Sequence, residues 1–272
     1  MIVRRVEGPD GARLLLVRQL DHSALSGAFV RQWGRPPFSP PSPLEPVMLA
    51  AAQHDEGWRD QDSRPLYDEQ AKGPANFRGL DVRAHIPFYR EGIRRIVELD
   101  PYAGLLVSMH GSGIYQGRYG AGPIRMTTQT EEVRSVMDAF VEEQEALQAS
   151  LKRRLWGSAG RRRRFEAAVW FHYELLQVWD LLSLFVCVDR DRTPVQTIAP
   201  VPTRLDGEDV ALEVASSGDV VRVRPWPFTV DTLDAAVPAR AIPDRTYARQ
   251  EDVRRAMEEA SEVRMPCRLI PG

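Results

Sequence analysis

His54 and Asp55 stand side by side in the run AAAQHDEGW, Ala50 to Trp58, at the end of a short apolar segment. Both are divalent-metal ligands by type. Neighbours on a helix project about 100° apart, so one ion takes both only if it lies between them, and the pair needs partners from elsewhere. In chain order the candidates are His22, His85, His110 and Asp180. Each falls at or near the end of a predicted helix, or within an apolar one. A single histidine on an apolar face is ordinarily a hydrogen-bonded core residue. Recurrence of these types on separate helices predicts a shared centre of mixed nitrogen and oxygen donors. Such donors suit iron or manganese, with zinc, nickel and cobalt in the same range.

The other polar candidates are secondary. His172 lies eight residues before Asp180, roughly 12 Å along a helix, so it cannot share an ion with it and is expected to be structural or pocket-lining. Gln177, three residues before Asp180, shares its face and could orient a ligand or touch substrate. Arg18, Lys72 and Arg118 lie near ligands in sequence and could complete an anion site, although each reads first as a surface residue. Trp58, Tyr115 and Trp179 could stack on a ring but are expected in the core.

The elements that must position these residues begin with two short strands, Ile2 to Val6 and Arg13 to Val17, around the turn Gly8-Pro9-Asp10-Gly11. Asp21 is the expected N-cap of a first helix with His22, Leu25, Ser26, Phe29 and Trp33 on one face. A proline-rich break, Pro36 to Pro46, ends it. A second helix, Glu45 to Gln53, delivers the His-Asp pair. Arg59 to Asp81 is polar and rich in glycine and proline, and so is expected to be a long loop that could act as a lid. Its acids Asp60, Asp62 and Asp68 read as solvated. Further helices are predicted over Val82–Leu99, from Pro101 to His110 with Gly111 and Gly113 as the stop, over Glu131–Leu155 and over Phe165–Val188. Arg161 to Arg164 reads as an exposed linker. After Pro194 come short strands at Thr197–Pro202, Val210–Val214 and Val220–Val223, then a last helix, Gln250–Glu262. The resulting expectation is a mainly α protein. Residues 1–19 form a hairpin, 20–190 a helical metal-binding domain, and 191–272 a small β-rich appendage that could include the hairpin.

Composition narrows the function classes. A chain of 272 residues with 43% hydrophobic residues can bury a large core, and its net charge of -2 gives no reason to expect a polyanionic partner. The basic residues are almost all arginine, Lys72 and Lys152 being the lysines. Cys187 and Cys267 fit free thiols in a reducing compartment. No signal pattern opens the chain, and no segment approaches the roughly 18 apolar residues of a membrane span. A cytoplasmic protein that engages neither nucleic acid nor membrane is expected, with a homo-oligomer left open.

In order, His22, His54-Asp55, His85, His110 and Asp180 resemble the ligand pattern of the HD superfamily of metal-dependent enzymes, in its two-metal form. That resemblance covers roughly residues 20 to 190 and implies an HD-domain-like helical bundle. It implies two divalent ions and makes Asp55 the ligand that bridges them. The wording QLDHSALSGAFVRQWG, AAQHDEGWRDQD and QVWDLLSLFVC is also similar to an uncharacterised bacterial domain-of-unknown-function family related to that superfamily. Two ions sharing a carboxylate would deprotonate a bridging water. The resemblance therefore implies hydrolysis of a small, polar, anionic phosphoester, with Asp55 as the catalytic residue. Two alternatives stand beside it: oxidation of a small organic substrate by a di-iron pair, and a non-catalytic sensor that keeps a metal. The C-terminal third lies outside the resemblance.

Overall fold

The computed structural model describes residues 1–8, 11–79, 81–117, 130–157, 161–188 and 195–272. Among them the chain runs β1 (Ile2–Val6), β2 (Arg13–Val17), α1 (Gln19–Gln32), α2 (Leu44–Ala52), α3 (Arg59–Ser63), β3 (Tyr67–Asp68) and β4 (Gly73–Pro74). There follow α4 (Val82–Leu99), α5 (Pro101–Tyr115), α6 (Glu131–Leu155), α7 (Arg162–Cys187), β5 (Val195–Pro202), β6 (Asp209–Ser217), β7 (Val220–Arg224), β8 (Leu233–Pro243), α8 (Gln250–Glu259) and β9 (Glu262–Pro271).

The expectation of an all-helical bundle with a small β appendage is overturned. Seven strands form one sheet in the order β1-β2-β8-β9-β7-β6-β5. It is mixed, because β7 and β9 run parallel while the other neighbours are antiparallel. The N-terminal hairpin joins it through β2 on β8, with Leu15 opposite Ala241. Its two longest strands, β8 and β9, are the ones the sequence conceals. Pro238 and Pro266 interrupt them, and proline argues against a central strand because it cannot donate to the ladder. The alternation is present all the same: Met265, Cys267 and Leu269 are buried while Arg264, Pro266 and Arg268 point outward.

The sheet buries apolar side chains on both faces. One shares a continuous core with the helices, where Val223, Val237 and Leu269 meet Phe29, Trp33, Trp179 and Phe185. The other carries α8, whose Val253 packs with Leu16, Ile242 and Tyr247. Both free cysteines, Cys187 and Cys267, are buried. No helix among the described residues is long and apolar enough to cross a membrane.

Local departures from the sequence reading have physical reasons. Helix α5 runs through Gly111 and Gly113 to Tyr115. A Cβ on Gly111 would stand 3.3 Å from Ile93 and 3.7 Å from Phe140, so the glycine serves close packing inside the helix and does not end it. The arginine run belongs to the start of α7 and is not a linker. Arg59 to Asp81 is not one open loop: it holds α3, the β3–β4 hairpin and a 3-10 turn at Phe77–Gly79.

Candidate metal centre

Helix α1 begins at Gln19, not after Asp21, and its N-cap Arg18 gives no side-chain cap. Asp21 is instead bound by Arg18 at 2.6 and 2.9 Å. The missing cap comes from another element: the buried carboxylate of Asp62 on α3 accepts from the Leu20 amide at 3.1 Å and also from that of Gln19. This fixes the first turn of α1, which carries His22. One turn on, the Ser26 hydroxyl donates to Ser183 at 3.0 Å, and the Ser183 hydroxyl donates to the Asp180 carbonyl at 2.8 Å. A small polar seam thus sets α1 against α7 beside His22 and Asp180.

Helix α2 ends at Ala52, so His54 and Asp55 lie in the turn beyond it. Position 27 of α1 sits against that end. A Cβ there would lie 2.6 Å from the Ala52 Cβ, and glycine allows the approach. His54 Nδ1 bonds the Ala51 carbonyl at 2.9 Å. The contact makes Nδ1 the protonated nitrogen and leaves Nε2 facing inward, as a supporting contact does for a metal-binding imidazole.

Inside, the groups converge. Asp180 Oδ1 is 3.0 Å from His22 Nε2 and 3.1 Å from His54 Nε2. Asp55 Oδ2 is 3.6 Å and 3.8 Å from the same two nitrogens. The His110 ring, from α5, is centred 4.8 Å from that of His54. His54 Nε2 is buried and faces the same Asp180 oxygen to which His22 Nε2 is hydrogen-bonded. All five residues are between 1 and 4% exposed. Two sets of donors, His22/His54/Asp180 and His54/Asp55/His110, each lie within 4.8 Å of one another, and both use His54.

The electrostatics match this crowding. Burial opposes charge on His54, but Asp180 and Asp55 outweigh it and raise the imidazole to about 9. Burial and then the charge of His54 lower His110 to about 3. Burial raises Asp55, whereas Asp180, equally buried, is drawn well below the carboxylate range by His54 and His22.

His85 is not in either donor set. Its ring packs 5.0 Å from Trp58 and 6.3 Å from Tyr89, and Tyr89 in turn lies 6.4 Å from His110. Tyr89 thus takes the place beside the centre. The sequence offers it only as an apolar helix position, but burial and the field of Asp55 raise its hydroxyl well above the usual range. Glu56 was also missed. It is buried, held by Arg59 at 2.6 and 2.8 Å and 3.6 Å from Arg95, and so fastens the His-Asp turn to α4. Its signal was the Glu56–Arg59 spacing.

Of the secondary candidates, His172 bonds Tyr102 Oη at 2.6 Å and accepts from the Ser42 amide at 3.4 Å, which anchors the proline-rich segment. Gln177 is half-buried on the face of α7, and its side chain makes no hydrogen bond among the described residues. Lys72 pairs with Glu69 at 3.1 Å on an exposed hairpin turn. Asp60 is exposed, and Asp68 caps the amides of Gln70 and Ala71. Trp58, Tyr115 and Trp179 are core residues. Arg118 lies outside the described residues.

Fold and site together define a class: a helical layer on a mixed sheet, with a buried histidine–aspartate cluster drawn from α1, α5, α7 and the turn after α2. The chain belongs to the family described as "Protein of unknown function (DUF3891)", which matches residues 1–244. No curated protein and no solved structure matches the chain.

Proposed function

We propose that this protein is a metal-dependent hydrolase of a small phosphoester, with its reaction centre at the histidine–aspartate cluster. One observation carries the reading. His22, His54, Asp55, His110 and Asp180 form two buried donor sets that meet at His54, and the Ala51 carbonyl turns His54 Nε2 toward both carboxylates. The chain order His, His-Asp, Asp supports a resemblance to the HD superfamily in ligand order alone, and the sheet is no part of it.

The donor set fits a divalent transition metal. Both sets share the single available nitrogen of His54, and one nitrogen serves one ion. With His85 outside, the arrangement favours one ion over two. Such an ion would supply Lewis acidity and a water acidified toward neutral pH. His22, His54 and Asp180 would hold it. Asp55, pushed up by burial, is suited to take a proton, and the low exposure of all five excludes bulk water.

The test uses the full chain purified without added metal. We expect a single tightly held ion per chain, and hydrolysis of p-nitrophenyl phosphate that is restored by manganese after chelation and lost in Asp55→Ala. Only trace metal, with none bound on addition, would sink the proposal. Two irons per chain with an oxygen-sensitive EPR signal would replace it with oxidation of an organic substrate.

A further inference from the structure

A cleft lies where the helices meet the sheet. It encloses about 520 Å³ between Arg18, Arg59 and Asp62 on the helical side and Arg240, Arg254 and Met257 on the side of β8 and α8. That volume suits a small-molecule ligand. None of the five residues of the histidine–aspartate cluster lines it.

Three of its arginines are engaged. Arg18 is bidentate to Asp21, Arg59 is bidentate to Glu56, and Arg240 donates to the Ala260 carbonyl. Arg254 is different. Its Nε is buried without a hydrogen-bond partner, and no carboxylate among the described residues pairs with it. The acids of the walls do not fill that role. Asp21 belongs to Arg18, Asp62 serves the amides of α1, and Glu258 and Glu262 are exposed at the rim. Arg254 thus brings to the cleft wall a positive charge with no ion pair among the described residues, and a guanidinium presents its N–H groups as a fork that matches an oxyanion.

We infer that this cleft binds the phosphate or carboxylate group of a small molecule, held by the terminal N–H groups of Arg254 with Arg18 and Arg240 flanking it. The inference is independent of the metal centre.

The experiment titrates chelator-treated full-length protein with inorganic phosphate and, separately, with malonate, by calorimetry at constant ionic strength. At least one is expected to bind saturably, and which one identifies the group recognised. Arg254→Gln should weaken binding about tenfold or more, the loss of a hydrogen bond to a charged partner. Arg254→Lys, which keeps the charge but not the fork, should weaken it less. Chelator treatment empties the histidine–aspartate cluster of metal, which separates this cleft from the metal centre. If Arg254→Gln does not fold, Arg240→Gln carries the same expectation. The proposal is overturned if neither anion binds better than chloride. It is also overturned if the arginine variants bind as the wild type does, or if binding is seen only after manganese is restored.

Discussion

A Cβ on Gly92 would stand 2.4 Å from the backbone nitrogen of Gly57, so the turn that follows Asp55 lies directly on the backbone of α4. The reverse contact is tighter still, for a Cβ on Gly57 would meet the Phe88 carbonyl oxygen at 1.9 Å. Both obstacles are backbone, so no side-chain rotation relieves them. Gly92→Ala should lower stability by about 1–3 kcal/mol, the usual range for overpacking, and should weaken metal binding by displacing Asp55. Gly79→Ala, which meets nothing within 4 Å, is the silent control. A Gly92→Ala protein with the wild-type denaturation midpoint and metal content would refute the role given to this contact.

Asp62 caps α1 from a different element, and His22 sits in the turn it caps. Asp62→Ala should therefore destabilise the protein by about 1–2 kcal/mol, as loss of a helix cap does, and loosen His22. Asp62→Asn keeps an acceptor and should retain most of both properties. Denaturant melts and metal titrations of the two variants check this. Equal losses in both would show that the charge, not the cap, is what matters.

The helices were legible where local signals and packing agree. Helix α4 spans the predicted Val82–Leu99 because Asp81 caps it and its apolar positions recur at helical spacing. The sheet was not legible, since β8 reads LDAAVPARAIP, poor in β-branched residues and broken by proline. Pairing with β2 and β9 on its two sides overrides that weak local preference. At the centre, residue type and order pointed to His22, His54, Asp55, His110 and Asp180. The position of His85 was hidden because it and Tyr89 are one turn apart on one face, and only the packing against α5 decides which of them meets His110. Asp62 was hidden for a related reason: a cap supplied across forty-two positions leaves no local pattern.

The buried pair Tyr102–His172 predicts an acid sensitivity separate from the metal centre. Burial lowers His172 to about 4, against about 6.5 for an exposed imidazole. Between those values the unfolded chain takes up a proton that the folded protein refuses. Stability is therefore full above about pH 6.5 and falls as the pH drops toward about 4, by up to ~3 kcal/mol for this one residue. His85 and His110, also lowered by burial, add to the same slope. His172→Gln should flatten part of it in unfolding curves measured between about pH 4 and 7. An unchanged slope would mean that His172 titrates normally in the folded protein.

His54 and His85 make opposite predictions for metal content. His54 is common to both donor sets, with one nitrogen on Ala51 and the other facing Asp180 and Asp55. His85 is held among Trp58 and Tyr89, with Tyr89 between it and His110. His54→Ala should remove the tightly bound ion, an affinity loss of at least the 10–100-fold typical even of supporting contacts. It also removes one of the two imidazoles that face the Asp180 carboxylate, so destabilisation of about 3 kcal/mol or more is expected for the metal-free variant. His85→Ala should keep the ion and lose stability through its contacts with Trp58 and Tyr89 and its hydrogen bond to the Phe77 backbone. The readouts are metal per chain after gel filtration and the denaturation midpoint with and without chelator. Loss of half the metal in His85→Ala, from a wild type holding two ions, would restore a dinuclear centre and overturn the single-ion arrangement.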